Sequence, residues 1–131
     1  MLKLAYSAGS RPPLKPVFWV GSSLEDLRSC PEEVRDVVGY ALFLAQGGGR
    51  HPAAKRLRGE LRGLTEVVDD HLSGTYRAVY AAGLADAIYV LHVFRKKSTR
   101  GIATPRRELS VIRARLRWAR RCAGGDRRTE P

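Results

Sequence analysis

Acidic side chains are scarce in this chain: 13 Asp and Glu stand against 24 Lys and Arg in 131 residues, for a net charge of +11. Such an excess argues against a cationic partner and favours an anionic one. Cysteine is nearly absent as well, with only Cys30 and Cys122. Two cysteines so far apart lack metal-ligand spacing, and a reduced pair is expected in preference to a single disulfide. The three histidines, His51, His71 and His92, are scattered, so no metal site is expected. No apolar run is long enough to span a membrane. The opening "MLKLAYSAGSRPPLKP" has no continuous apolar stretch of the signal-peptide kind. A soluble, cytoplasmic protein is the expectation.

Phosphate-loop chemistry is also missing. The "GGG" at 47–49 follows a helical segment rather than a strand, and no Lys-Ser or Lys-Thr follows it. Neither a Ser-His-Asp nor a Cys-His arrangement has local support, no cofactor is implied, and there are no internal repeats.

What is present reads as one domain. Residues 1–15 are expected to form a flexible tail, 16–122 the domain, and 123–131 a disordered end. "PVFWV" (16–20) suits a short strand between Pro16 and Gly21. "SSLE" (22–25) has capping-box spacing, with Ser22 and Glu25 satisfying each other's amides at the start of a short helix. Pro31 suits the first turn of a second helix, whose Val34, Val37, Val38, Ala41, Leu42 and Ala45 recur at helical spacing until the glycines. Strands follow at 64–69, 75–82 and 86–94, joined by the turn-like "HLSG" and "GLAD". They make an antiparallel meander in which the nearly all-apolar 86–94 takes a central place. Thr104-Pro105 opens a last helix with Leu109, Ile112, Leu116 and Ala119 on one side. The order β-α-α-β-β-β-α predicts an α+β domain, a layer of helices on one sheet.

The positive charge is concentrated. Residues 95–121 hold eleven Lys and Arg against Glu108 alone. Further cations, Lys55, Arg56, Arg58 and Arg62, precede the meander. Arg77 stands in mid-strand in "TYRAVY", on the face of Val79 and Ala81 and opposite that of Tyr76, Ala78 and Tyr80. It must either bridge to Glu66, Asp69 or Asp70 on the neighbouring strand or reach an anion beyond the sheet. His92 could move a proton near neutral pH or be a satisfied core histidine. Lys96 and Lys97 face opposite sides if the strand persists. Grouped Arg and Lys of this kind can serve metal-free RNA cleavage, because the transition state of 2′-hydroxyl attack gathers negative charge on phosphate oxygens.

The stretches "KPVFWVGSSLEDLR", "YALFLAQGG", "HPAAKRLRG", "TYRAVY", "YVLHVFRKKS" and "GIATPRREL" occur in that order over about residues 15–118. Together they resemble the phage-derived Gp49-like, HigB-type toxins of the RelE/ParE superfamily. The resemblance implies the compact RelE-like fold and the toxin of a type II toxin–antitoxin pair. It further implies a ribosome-dependent endoribonuclease acting on translated mRNA, with a helix-turn-helix antitoxin as partner. By position, Arg77 matches the strand arginine of the family, and Lys96-Lys97 its Lys-Lys after Phe. The implied catalytic set is Arg77, Lys96, Lys97 and His92, with Lys55, Arg58, Arg62, Arg95 and Arg100 facing RNA. The chain lacks the C-terminal Tyr or His that several RelE relatives use. Two other functions fit the same residues: a ParE-like, non-nucleolytic inhibitor of DNA gyrase, and a nucleic-acid-binding protein without chemistry.

Overall fold

A computed structural model describes residues 13–96 and 104–125. The elements run β1 (Val17–Trp19), α1 (Ser23–Arg28), α2 (Glu32–Gln46), β2 (Ala54–Arg56), a 3-10 turn at Gly59–Leu61, β3 (Leu64–His71), β4 (Gly74–Leu84), β5 (Ala87–Lys96) and α3 (Arg106–Ala123). Five strands form one sheet in the order β1-β5-β4-β3-β2, parallel only where β1 meets β5. The α+β class and the meander agree with the sequence reading. β2 was not foreseen; its three residues, Ala-Lys-Arg, carry no alternation long enough to announce a strand.

Each edge of the sheet is a three-residue strand, too short by itself to offer another chain a long pairing edge. Because β1 and β2 lie at opposite edges, α1 and α2 carry the chain across the sheet. Ser23 ties that crossing down: it is fully buried and its hydroxyl donates to the Val90 carbonyl at 3.1 Å.

The expected single layer of helices is in fact two, one on each face. Val34, Val38, Ala41, Leu42 and Ala45 of α2 pack on Val67, Ala78, Tyr80, Ile88 and Val90. On the other face Ile112, Leu116, Ala119 and Cys122 of α3 pack on Val79, Ala81, Tyr89 and Leu91. The cause is strand alternation in β4 and β5: both sets of alternate residues are apolar, so both faces need a cover. Cys30 and Cys122 belong to opposite layers and are free thiols. Burial and the nearby Asp26 carboxylate push the Cys30 thiol above its ordinary pKa, which makes it a poor nucleophile.

Two local expectations fail. Ser22 precedes α1 but makes no capping bond. Its hydroxyl donates to Asp26 at 2.8 Å and accepts from Arg115 at 2.9 Å, so both capacities are spent elsewhere. Pro31 stands just before α2 as its N-cap rather than inside the first turn. The tail boundaries also shift. Lys15 is held by its amide on Gln46 O at 3.0 Å and its carbonyl on Gln46 Nε2 at 2.7 Å, while Ala123 belongs to α3. Residues 1–12 and 126–131 lie outside the described residues.

Turn chemistry explains the hairpins. Ala85 and Asp86, with φ of 49° and 55°, turn β4 into β5 by the left-handed pair of a two-residue loop. At the far end Leu72 and Ser73 reverse β3 into β4.

Ile112 is fully buried between α3 and the sheet. Ile112→Ala is expected to lower unfolding free energy by about 2–5 kcal/mol in urea denaturation, the cost of lost burial plus a residual cavity.

Candidate functional site

The face of the sheet beneath α3 gathers most of the chemistry. In β4 it carries Thr75, Arg77 and Val79; β5 sets Lys96, Phe94 and His92 beside them, since Thr75 pairs with Lys96, Arg77 with Phe94 and Val79 with His92. β3 adds Glu66 and Val68, the latter level with Arg77.

His92 reaches this face through an irregularity. Val79 pairs with His92 but Tyr80 pairs with Val90, so β5 holds one residue, Leu91, more than β4 at this point. Such a bulge re-aims side chains. Uninterrupted alternation from Ile88 and Val90 would send His92 toward α2; instead it follows Leu91 to the α3 side. There its Nε2 lies 2.7 Å from Glu108 Oε1, and Arg115 Nη1 lies 3.3 Å from its Nδ1. Arg115 brings only donors, so the partners assign the ring a proton on Nε2 and the lone pair on Nδ1. The ring stacks on Phe94 with centroids 4.9 Å apart.

Arg115 also donates to the Leu91 carbonyl at 2.9 Å, and through Ser22 the row continues to Asp26. Polar groups of α3, β5 and α1 thus form one connected line: Glu108, His92, Arg115, Ser22, Asp26. The guanidinium lies against the backbone of Gly21, where a Cβ would come within 2.6 Å of Nε. Glycine is required there twice over, because its φ is +57°.

Arg77 takes the first of the two courses open to it. Its Nη1 donates to both Glu66 oxygens, at 3.1 and 3.0 Å, with the arginine side chain 8% and the glutamate 1% exposed. Arg77 Nε is buried and has no hydrogen-bond partner. The pair is nearly neutral as a unit, so Arg77 does not project from the sheet as an isolated cation.

The remaining expected residues divide. Lys96 is buried on the Arg77 side of β5. Arg95 is exposed on the other side, against Gly74. Lys55 is exposed on the edge strand, paired in register with Glu66. Arg58 and Arg62 are exposed around the 3-10 turn. Lys97 and Arg100 lie outside the described residues. Among the described residues no group of three or more His, Cys, Asp and Glu could hold a metal ion, and no helix is long and apolar enough to cross a membrane.

Glu108 and Arg115 escaped the sequence reading. Glu108 carried one signal: it is the sole acid among residues 95–121. Arg115 carried none, being one arginine among several on α3.

The whole is a small α+β protein with an internal imidazole held between a carboxylate and a guanidinium, beside a basic strand end. The phage-derived Gp49-like protein family (DUF891) matches residues 25–117, and the chain belongs to that family. No curated protein matches it. Among solved structures it is similar to a chain of the toxin–antitoxin complex RelBE2 from Mycobacterium tuberculosis, at 23% identity and a TM-score of 0.46. That similarity covers 65% of this chain and 100% of the other.

The buried pair yields a stability test. Glu66→Gln leaves Arg77 charged and uncompensated, and is expected to cost about 3–5 kcal/mol in urea denaturation. Replacing both residues by Met should recover most of that loss, because the desolvation penalty of both ions disappears with them.

Proposed function

We propose that this protein is the toxin of a type II toxin–antitoxin pair and a metal-independent endoribonuclease that cleaves translated mRNA on the ribosome, with a helix-turn-helix antitoxin as its neutralising partner. The observation that carries the reading is the line Glu108–His92–Arg115 set next to Lys96 and the paired Arg77 on one sheet face. Membership of the Gp49-like family adds to it.

The chemistry needs a proton acceptor, a proton donor and positive charge at the phosphate. The 2′-oxygen gives its proton to His92 Nδ1 and attacks the adjacent phosphorus. The bond to the 5′-oxygen of the next nucleotide breaks, that oxygen takes a proton from Lys96, and a 2′,3′-cyclic phosphate remains. Glu108 fixes the ring and stabilises the imidazolium as it forms. The contact of Nδ1 with Arg115 is the longer of the two at 3.3 Å, and it opens when the substrate hydroxyl takes its place. Arg115, still held by the Leu91 carbonyl and the Ser22 hydroxyl, then turns its Nη1 from the ring toward the charge growing on phosphate oxygens. Arg77 contributes from beneath, its charge shared with Glu66. Lys97, next to Lys96 in sequence, adds positive charge for the phosphate, and Lys55, Arg58, Arg62, Arg95 and Arg100 hold the RNA backbone.

His92→Ala and Lys96→Ala are each expected to lower mRNA cleavage about a hundredfold or more, with unchanged circular dichroism. Primer extension on message from induced cells reads the effect. Cleavage of a message carrying 2′-deoxy at the attacked nucleotide would sink the mechanism.

A further inference from the structure

The sheet face opposite the His92 row carries a second basic feature. Where α2 ends, a cleft of about 690 Å³ opens between its glycine-rich C-terminus and the loop that enters β3. Lys15, Arg50, Arg56 and Arg62 line it, and no carboxylate does. Among the described residues none of the four is paired with an acid. Its floor includes Thr65 and Tyr80, the latter 2% exposed; burial raises the Tyr80 phenol pKa, against the opposing pull of the Thr65 hydroxyl and the Arg50 charge.

A structural explanation accounts for only part of this. The C-terminus of α2 carries about half a negative charge, and its last turn holds no basic residue. One arginine, Arg50, would balance that half charge. Moreover, Gly48 and Gly49 amides already cap Ala45 and Leu44 carbonyls at 3.0 and 2.8 Å. Among the described residues three cations remain without an acid partner around a concave surface, a repulsion that an anion would relieve.

Shape distinguishes the kind of anion. A hollow of about 190 Å³ on the α3 side shares Arg62, Gly63, Leu64 and Gly83 with the cleft, and adds Arg120. The two hollows therefore meet over the end of the sheet, and Arg62 belongs to both. Added Cβ atoms at Gly63 and Gly83 would meet nothing within 4 Å, so the surface between them is open. A continuous path from Lys15 and Arg50 past Arg62 to Arg120 fits a chain with evenly spaced negative charges. Four of its five cations are arginines, whose planar two-point donors match phosphate oxygens.

We propose that this cleft binds the phosphodiester backbone of a single RNA strand, which then passes over Arg62 toward Arg120. The assignment rests on the reading of the protein as one that handles RNA, and not on cleavage. It gives Arg62 a specific partner surface and adds Lys15, Arg50 and Arg56 to the residues that meet RNA.

Fluorescence anisotropy with a labelled single-stranded oligoadenylate tests it. Arg50→Glu/Arg62→Glu is expected to weaken binding at least tenfold, and to flatten the slope of log affinity against log salt by about 0.7 per lost contact. Gly83→Glu, which places a carboxylate in the path at a position with room for it, should weaken binding in the same direction. Arg28→Glu, a charge reversal of the same kind at a single position on α1 outside the cleft, should have little effect. Unaltered oligoadenylate affinity and salt slope in the folded cleft variants would overturn the assignment. So would unaltered RNA affinity together with lost binding of an oligoglutamate peptide, which would give the cleft to a protein partner. Loss of mRNA cleavage with unaltered oligoadenylate binding likewise removes the cleft's role. A protein that binds oligoadenylate through the cleft without cleaving it leaves that role standing and removes only the nuclease reading.

Discussion

The register of β5 against β4 slips by one residue beside Val79 and Tyr80, and much of the molecule depends on that slip. Before it, Ile88 and Val90 face α2; after it, Val93 does, with Phe94 facing α3. The slip lets Leu91 join the α3 core while His92 keeps the same side. It also makes the Leu91 carbonyl and the His92 ring reachable by one arginine, since Arg115 bonds both. Without the extra residue, His92 would enter the apolar layer under α2, where the described contacts offer it no carboxylate.

Charge is the second theme. The +11 excess is not spread evenly in its roles. Arg77 and Arg115 are engaged by internal partners: one by Glu66, the other by a carbonyl, an imidazole and a hydroxyl. Arg113 pairs with Glu60 and so ties α3 to the 3-10 turn. Arg106, Arg107, Arg117, Arg120 and Arg121 are exposed. Their mutual repulsion is screened in water and costs little there. The group Lys15, Arg50, Arg56 and Arg62 is different because all four line one cleft. Strand alternation separates the two basic regions: Lys55 is level with Glu66 on the α3 side, and its neighbour Arg56 is level with Thr65 on the other.

Much of the fold could be read directly. The strand at 86–94 announced an internal position by its apolar run, and α2 and α3 announced their buried stripes by spacing. The opposite faces of Arg77 and Tyr76 followed from the period of two. β2 was missed because three residues show no period, and the capping box at Ser22 was misread because its hydroxyl is claimed by Arg115, 93 residues away. In the candidate site, Arg77 had Glu66, Asp69, Asp70 or an outside anion open to it, and spacing held no means of deciding among them; the fold gives it Glu66.

The sequence by itself determined the class of fold, the apolar faces of its elements and the scale of the positive charge, because these follow from periodicity and composition within short windows. Only the tertiary structure decided which cations are consumed internally, which side His92 faces, and that four cations from separate segments surround one cleft. Those outcomes depend on strand register and on contacts across many residues of chain, where a shift of one position along a strand moves a side chain to the other face.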